Sequence, residues 1–266
     1  MPTAYSAISR ISGTNRRGEM FEKLLGFVMV LTRLSGFLLV LPVFGWKSIP
    51  VRIKVAVTVL LAVFFSIVTP LAVAPEETSV LEAILLISNE AVYGLALGLT
   101  CTILFSAVRL SGRIVERQMG LAMAEILDPF TGQKSQPLGS MLEMIFIILF
   151  LSANGHHLFL LIISRSYEAF PAGSIPTIPV LTGGIIEAGS AMFTAGLKLA
   201  APMLAAFILL MVVLGVFARM VPEMNILFIS LPLRVGLGLL MVAIFLPFIS
   251  GFVTEFADVM DKLLPY

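Results

Sequence analysis

Residues Arg109 to Ser135, RLSGRIVERQMGLAMAEILDPFTGQKS, are the one long interior segment in which charge and apolar character interleave between hydrophobic blocks. At about 100° per residue, Arg109, Arg113, Glu116 and Arg117 share a narrow arc, with Leu110, Ile114, Leu121 and Ala122 across from them. That spacing predicts an amphipathic helix. Polarity then thins through Met119, Gly120, Leu121, Ala122, Met123 and Ala124, before Glu125 and the turn sequence Asp128-Pro129-Phe130-Thr131-Gly132. Two architectures share this pattern. One is a membrane-surface helix joining two spans, with its arginines toward lipid headgroups. The other is a loop folded back into a channel, where flexible methionines close around objects of varying shape and reopen.

The surrounding chain is membrane helix by composition. Its 266 residues are 59% hydrophobic and 12% charged, and the mean hydropathy is +1.05. That leaves too little polar surface for a soluble globule and predicts an all-α integral membrane protein. A net charge of +1 gives no electrostatic case for nucleic acid or an acidic substrate. The lone Cys101 excludes an intrachain disulfide and a cysteine-based metal cluster. Residues 1–20 form a basic polar tail with Arg10, Arg16 and Arg17. The apolar run after it is too long for a signal-peptide core and lacks a small-residue cleavage pattern, so no cleaved signal is expected.

Hydrophobic blocks follow at 24–44, 51–73, 81–107, 137–164, 185–218 and 226–253. Trp46 is placed as an interfacial anchor after the first. Gly94 and Gly98, four apart in the third, predict close helix packing. A Pro- and Gly-rich linker, 169–184, divides the chain, and Pro202, Pro232 and Pro247 predict broken or bent helices in the last two blocks. The turn with Lys47, Arg52 and Lys54 is basic, as is the Arg109 segment, while Glu76 and Glu77 make the intervening turn acidic. The positive-inside rule then puts the basic N-terminal tail on the wrong side. Either the rule is overridden or these helices do not span a bilayer in the ordinary way.

Charges inside the apolar blocks are the next signal: Arg33, Glu90, Glu143, Glu187, Lys198 and Arg234. Each costs roughly 2.5 to 3.5 kcal/mol at a span centre unless compensated, so they mark a polar pathway or an inter-subunit contact. A stand-alone secondary transporter or ion channel would use such charges at a midplane site with helix breaks at Pro202 and Pro232. No inverted repeat is visible between the halves. His156 and His157, adjacent on a helix, cannot share one metal. An intramembrane hydrolase would need Ser140 or Ser152 beside one of them, and no nucleophile elbow or phosphate loop is present. The residues predict no enzyme and no cofactor.

Four stretches carry a family resemblance: ERQMGLAMAEILDPFTGQ at 116–133, FLSANGHHLFLL at 150–161, AFPAG at 169–173 and ARMVPEMNILFISLPLRVGLGLLM at 218–241. Asn154, Gly155, His156, Arg219, Pro222, Asn225 and Pro232 lie within them. In this order and spacing they resemble the FliR/SctT family of type III secretion export-gate components. The resemblance implies a FliP-like helical part over 21–168 and a FliQ-like helical hairpin over 185–266, built into a hetero-oligomeric helical gate. It implies one copy of this chain with FliP-like and FliQ-like subunits, an FlhB-like switch protein docked around them, membrane lipids, and unfolded export substrates as cargo. The place implied is the bacterial inner membrane at the flagellar basal body, with the assembly standing largely above the ordinary membrane plane. That would resolve the topology conflict. The family's plug falls within 109–136, on Met119, Gly120, Met123, Ile126, Leu127, Asp128, Pro129 and Phe130. Arg33, Glu90, Glu143, Lys198 and Arg234 become candidates for pairing between subunits.

Overall fold

The computed structural model describes residues 23–45, 49–69, 79–121, 137–174, 178–221 and 226–263, nearly all of them helical. The helices are α1 (Lys23–Val40), α2 (Pro42–Gly45), α3 (Val51–Val68), α4 (Val80–Met119), α5 (Pro137–Ser152), α6 (Gly155–Ala169), α7 (Ile178–Met220) and α8 (Ile226–Leu263). Five are long and apolar enough to cross a membrane, and α5 with α6, bent by 76° at their junction, would make a sixth crossing. The protein is therefore an all-α integral membrane protein.

Local chemistry sets the ends of these helices. α4 opens with a capping box: the Ser79 backbone N–H donates to Glu82 Oε2 at 2.7 Å, and the Glu82 N–H to Ser79 Oγ at 3.3 Å. It closes with a Schellman motif, in which Gly120 takes a φ of +81°. The Gly120 N–H reaches the Arg117 carbonyl at 3.2 Å and the Leu121 N–H the Glu116 carbonyl at 3.4 Å. The third apolar block and the Arg109 helix are thus one helix of 40 residues. Pro202 lies inside an unbroken α7, and Pro232 and Pro247 inside an unbroken α8. These prolines drop one backbone bond each without ending the helix. Of the expected linker at 169–184, the residues from Ile178 onward are helix.

By contacts the chain divides into two units, each drawing on both halves of the sequence. One comprises Met1–Thr102, Phe159–Ile186 and Leu263–Tyr266. In it α1 and α4 run parallel and touch through glycine. A Cβ on Gly94 would overlap the Arg33 carbonyl, one on Gly98 would lie 2.7 Å from the Phe37 carbonyl, and one on Gly36 3.0 Å from that of Ala91. The Gly94/Gly98 face is therefore a backbone contact with α1. Thr102 Oγ1 extends the seam by donating to the Val40 carbonyl at 2.8 Å.

The other unit comprises Ile103–Leu158 and Glu187–Lys262. Here α5 packs antiparallel to the end of α4, so closely that a Cβ on Gly112 would lie 2.6 Å from Gly139 Cα. Phe105, Phe146 and Phe150 fill the space beyond, with ring centroids 5.1 to 6.4 Å apart. α7 packs on α4 through Gly196, against Ala107 and Leu110, and α8 through Gly238, against Met119.

The α5–α6 break explains the FLSANGHH stretch. Asn154 holds a φ of 62°, which Asn tolerates better than most residues. Gly155 follows because the Phe150 ring covers its Cα, leaving no room for a Cβ. Asn154→Gly should leave stability close to that of the parent, whereas Asn154→Ala should lower it by about 1 kcal/mol. Gly155→Ala should cost more, since the phenyl ring must move. Thermal unfolding in detergent should rank the three variants in that order.

Candidate functional site

The most constrained side chain is Arg33, fully buried in the first unit. Its Nε donates to Glu90 Oε2 at 2.5 Å and its Nη2 to Glu90 Oε1 at 2.9 Å, a two-pronged pair with both side chains at 0% exposure. Nη1 donates to the backbone carbonyls of Ser166 at 3.2 Å and Phe170 at 2.9 Å. The guanidinium carbon also lies over the rings of Tyr93 and Tyr167, at 4.6 and 4.3 Å from their centroids. Glu90 Oε1 also accepts the Gly173 N–H at 2.8 Å, and Asn89 Nδ2 donates to the Ser174 carbonyl at 3.0 Å. The compensation that these two charges need is supplied inside the chain.

The close α1–α4 contact makes this geometry possible. The Arg33 backbone lies on Gly94, one helical turn beyond Glu90, so the arginine side chain only has to reach back along the same face. The stretch after α6, AFPAG, then folds over the pair and lends it a carbonyl and an amide. Tyr93, Ser166, Tyr167, Phe170 and Gly173 were not among the candidates from sequence. Tyr93 alone carried a local signal, an aromatic ring three residues from a costly carboxylate.

In the second unit, the end of α4 carries the first part of the expected plug segment. Arg109 pairs with Glu143 of α5, its side chain 43% exposed and that of Glu143 12%. Met119 is 1% exposed and lies over Gly238 of α8, where a Cβ would stand 2.5 Å from its Cγ and Sδ. Gly120 is the left-handed residue that stops α4. Met123, Ile126, Leu127, Asp128, Pro129 and Phe130 lie outside the described residues, as do Pro222 and Asn225. Glu187, Lys198, Arg219 and Pro232 are exposed, and Arg234 is half-buried with its Nε lacking an acceptor. His156 and His157 are exposed, with ring centroids 4.3 Å apart. Among the described residues no group of three His, Cys, Asp or Glu side chains could hold a metal.

Residues 24–260, spanning both units, match the family described as bacterial export proteins, family 1. This chain belongs to that family. It is similar to flagellar biosynthetic protein FliR of Bacillus subtilis (strain 168), 30% identical over 226 residues, covering 82% of this chain and 85% of the relative. FliR of Escherichia coli (strain K12) is 29% identical over 234 residues, 88% of this chain and 89% of the relative. FliR of Aquifex aeolicus (strain VF5) is 28% identical over 230 residues, 86% and 88% of the two chains. As a family member the chain is a membrane-embedded component of flagellar protein export. Both the arginine cage and the α4 terminus lie inside the matched span.

Removing one member of a buried ion pair costs about 3 to 5 kcal/mol, because the other charge is left uncompensated, while removing both costs far less. Arg33→Met and Glu90→Gln are each expected to destabilise the protein by that amount. The double variant should recover much of the loss, and a thermal-unfolding double-mutant cycle checks it. Simple addition of the two losses would mean that the pair does not act as a unit.

Proposed function

We propose that this chain is a single-copy core subunit of the type III export gate of the bacterial flagellum, in the inner membrane, and that residues 119–130 plug its pore. Beside family membership, the length of the apolar surface on α7 supports assembly. Large exposed apolar residues run along it from Ile186 to Met220. At 1.5 Å per residue that is about 51 Å, and even at a tilt of 40° it would project to about 39 Å, against a hydrocarbon core of about 30 Å. Partner helices would cover what lipid does not, and FliP-like and FliQ-like subunits, with an FlhB-like protein docked around them, are the partners the reading supplies.

Lys198 and Glu187 fit the same reading. They are exposed on α7 eleven residues apart, which places them about three turns apart on one face, with exposed Ser190 and Thr194 between them. A partner helix carrying opposite charges in register would neutralise both. Pairing between subunits is proposed for these two and for Arg234, while Arg33 with Glu90 and Arg109 with Glu143 pair within the chain.

The plug reading comes from the family resemblance, and composition and what anchors the segment support it. Met123, Ile126 and Leu127 can exclude water and ions while staying deformable, and Pro129 restricts the backbone locally. The near end is fixed by Met119 on Gly238 and by the glycine stop at 120. An unfolded substrate would displace the segment without any bond chemistry by this chain. Proton-motive force and an ATPase elsewhere in the apparatus would drive the movement.

Native mass spectrometry of the tagged chain, extracted gently from its own cells, tests the assembly. One copy bound to several copies of two other small membrane proteins is expected. A stable monomer or homo-oligomer without them would favour a stand-alone transporter. In the assembled gate, deletion of Met123–Pro129 should raise membrane conductance to ions, and unchanged conductance would remove the plug assignment.

A further inference from the structure

Along the least exposed side of α8, Ser230, Arg234, Gly238 and Val242 recur every four residues, and Gly238 is the one without a side chain. A glycine inside a helix forgoes stability relative to alanine. Gly236 and Gly251 on the same helix face open space, but at Gly238 the reason for glycine is visible. A Cβ there would stand 2.5 Å from Met119 Cγ and Sδ and 2.9 Å from Cε, so the methionine side chain lies in the notch that the missing side chain leaves. Met119 is 1% exposed and is the last residue of α4. Its successor Gly120, at a φ of +81°, turns the chain out of the helix. One contact therefore fixes where α4 ends, and the next residue fixes the direction in which the chain leaves it.

We infer that Gly238 is the seat through which α8 controls the plug: Met119 in the notch holds the plug's near end closed, and it must leave the notch for a substrate to pass. Two features fit a seat that releases. Glycine offers no side chain and a thioether no donor, so packing alone holds the contact, and parting it strands no buried polar group. Movement at the Arg33–Glu90 pair would strand two charges. The second feature is the methionine itself, whose unbranched, freely turning side chain can leave a notch and re-enter it where a β-branched residue could not. Gly238 thus acts as a positioning residue for the closed state, working through Met119 and not by touching the substrate. The inference rests on the plug reading, and its test separates the failure of one from the failure of the other.

The assembled gate is tested in its own cells, with the Met123–Pro129 deletion as the reference for a leak. Gly238→Val, which removes no residue of the plug, should raise ion conductance about fivefold by shifting the closed state toward the open one. Met119→Ala added to it should restore most of the seal, because the valine then fills the space the methionine leaves. A second arm locks the seat. In Met119→Cys with Gly238→Cys the two Cβ atoms would lie no more than about 4 Å apart, within disulfide range. Oxidation with copper phenanthroline should cut export about tenfold by holding the closed state, and dithiothreitol should restore it, while each single cysteine variant exports equally with and without oxidant. A Gly238→Val gate as tight as the parent, alongside a deletion that leaks, would overturn the inference and leave the plug reading standing. No leak from either would remove both. Equal leaks in the single and double variants, a disulfide that does not form, or export unchanged once it has formed would also overturn the inference. If Gly238→Val does not assemble, the disulfide arm decides.

Discussion

A guanidinium with no exposed surface forces the design of everything around it. The position of the Arg33 guanidinium in an apolar helix requires a carboxylate, two carbonyls and two aromatic rings at fixed distances. Those groups come from α4, from α6 and from the turn after it. A buried pair of this kind adds little net stability over well-packed hydrocarbon, because desolvation consumes most of the Coulomb gain. Its value lies in specification. A slip of α1 against α4 by one turn would strand two charges in a dry interior, so only one register is tolerable.

Glycine makes that register reachable. Gly36, Gly94 and Gly98 bring the two helix backbones together where side chains would hold them apart, and the same device recurs at Gly112 with Gly139 and at Gly196 and Gly238 in the other unit. In a bilayer, apolar side chains gain little by leaving lipid for one another, so close backbone contact and satisfied polar groups carry more of the specificity than they do in water. The structure follows that logic at each principal crossing.

Much of this was legible in sequence, and the omissions have a common cause. The spacing of Gly94 and Gly98 announces a close crossing, because the signal is complete within one turn or two. Arg33 and Glu90 were each readable as costly charges. Their pairing was not, since 57 residues separate them and nothing local in either helix names the other. Pro202, Pro232 and Pro247 predict breaks or bends by local rule, and the breaks do not occur: an apolar environment penalises an unravelled backbone more than it penalises one missing bond, and the helices continue through. Of the plug candidates, Met119 and Gly120 lie at the end of α4, Met119 packed on Gly238 and Gly120 in the turn that stops the helix, a placement the loop reading of the sequence did not contain.

The long uncovered face of α7 also bears on how the protein persists in a cell. If partner subunits shield that surface, as proposed, folding is tied to mass action: the fraction of correctly shielded molecules rises with the supply of whatever shields them. Copies made in excess of that supply keep a sticky flank, and turnover by proteases would trim them away. Abundance then reflects coordinated synthesis with companions more than the intrinsic stability of this one polypeptide.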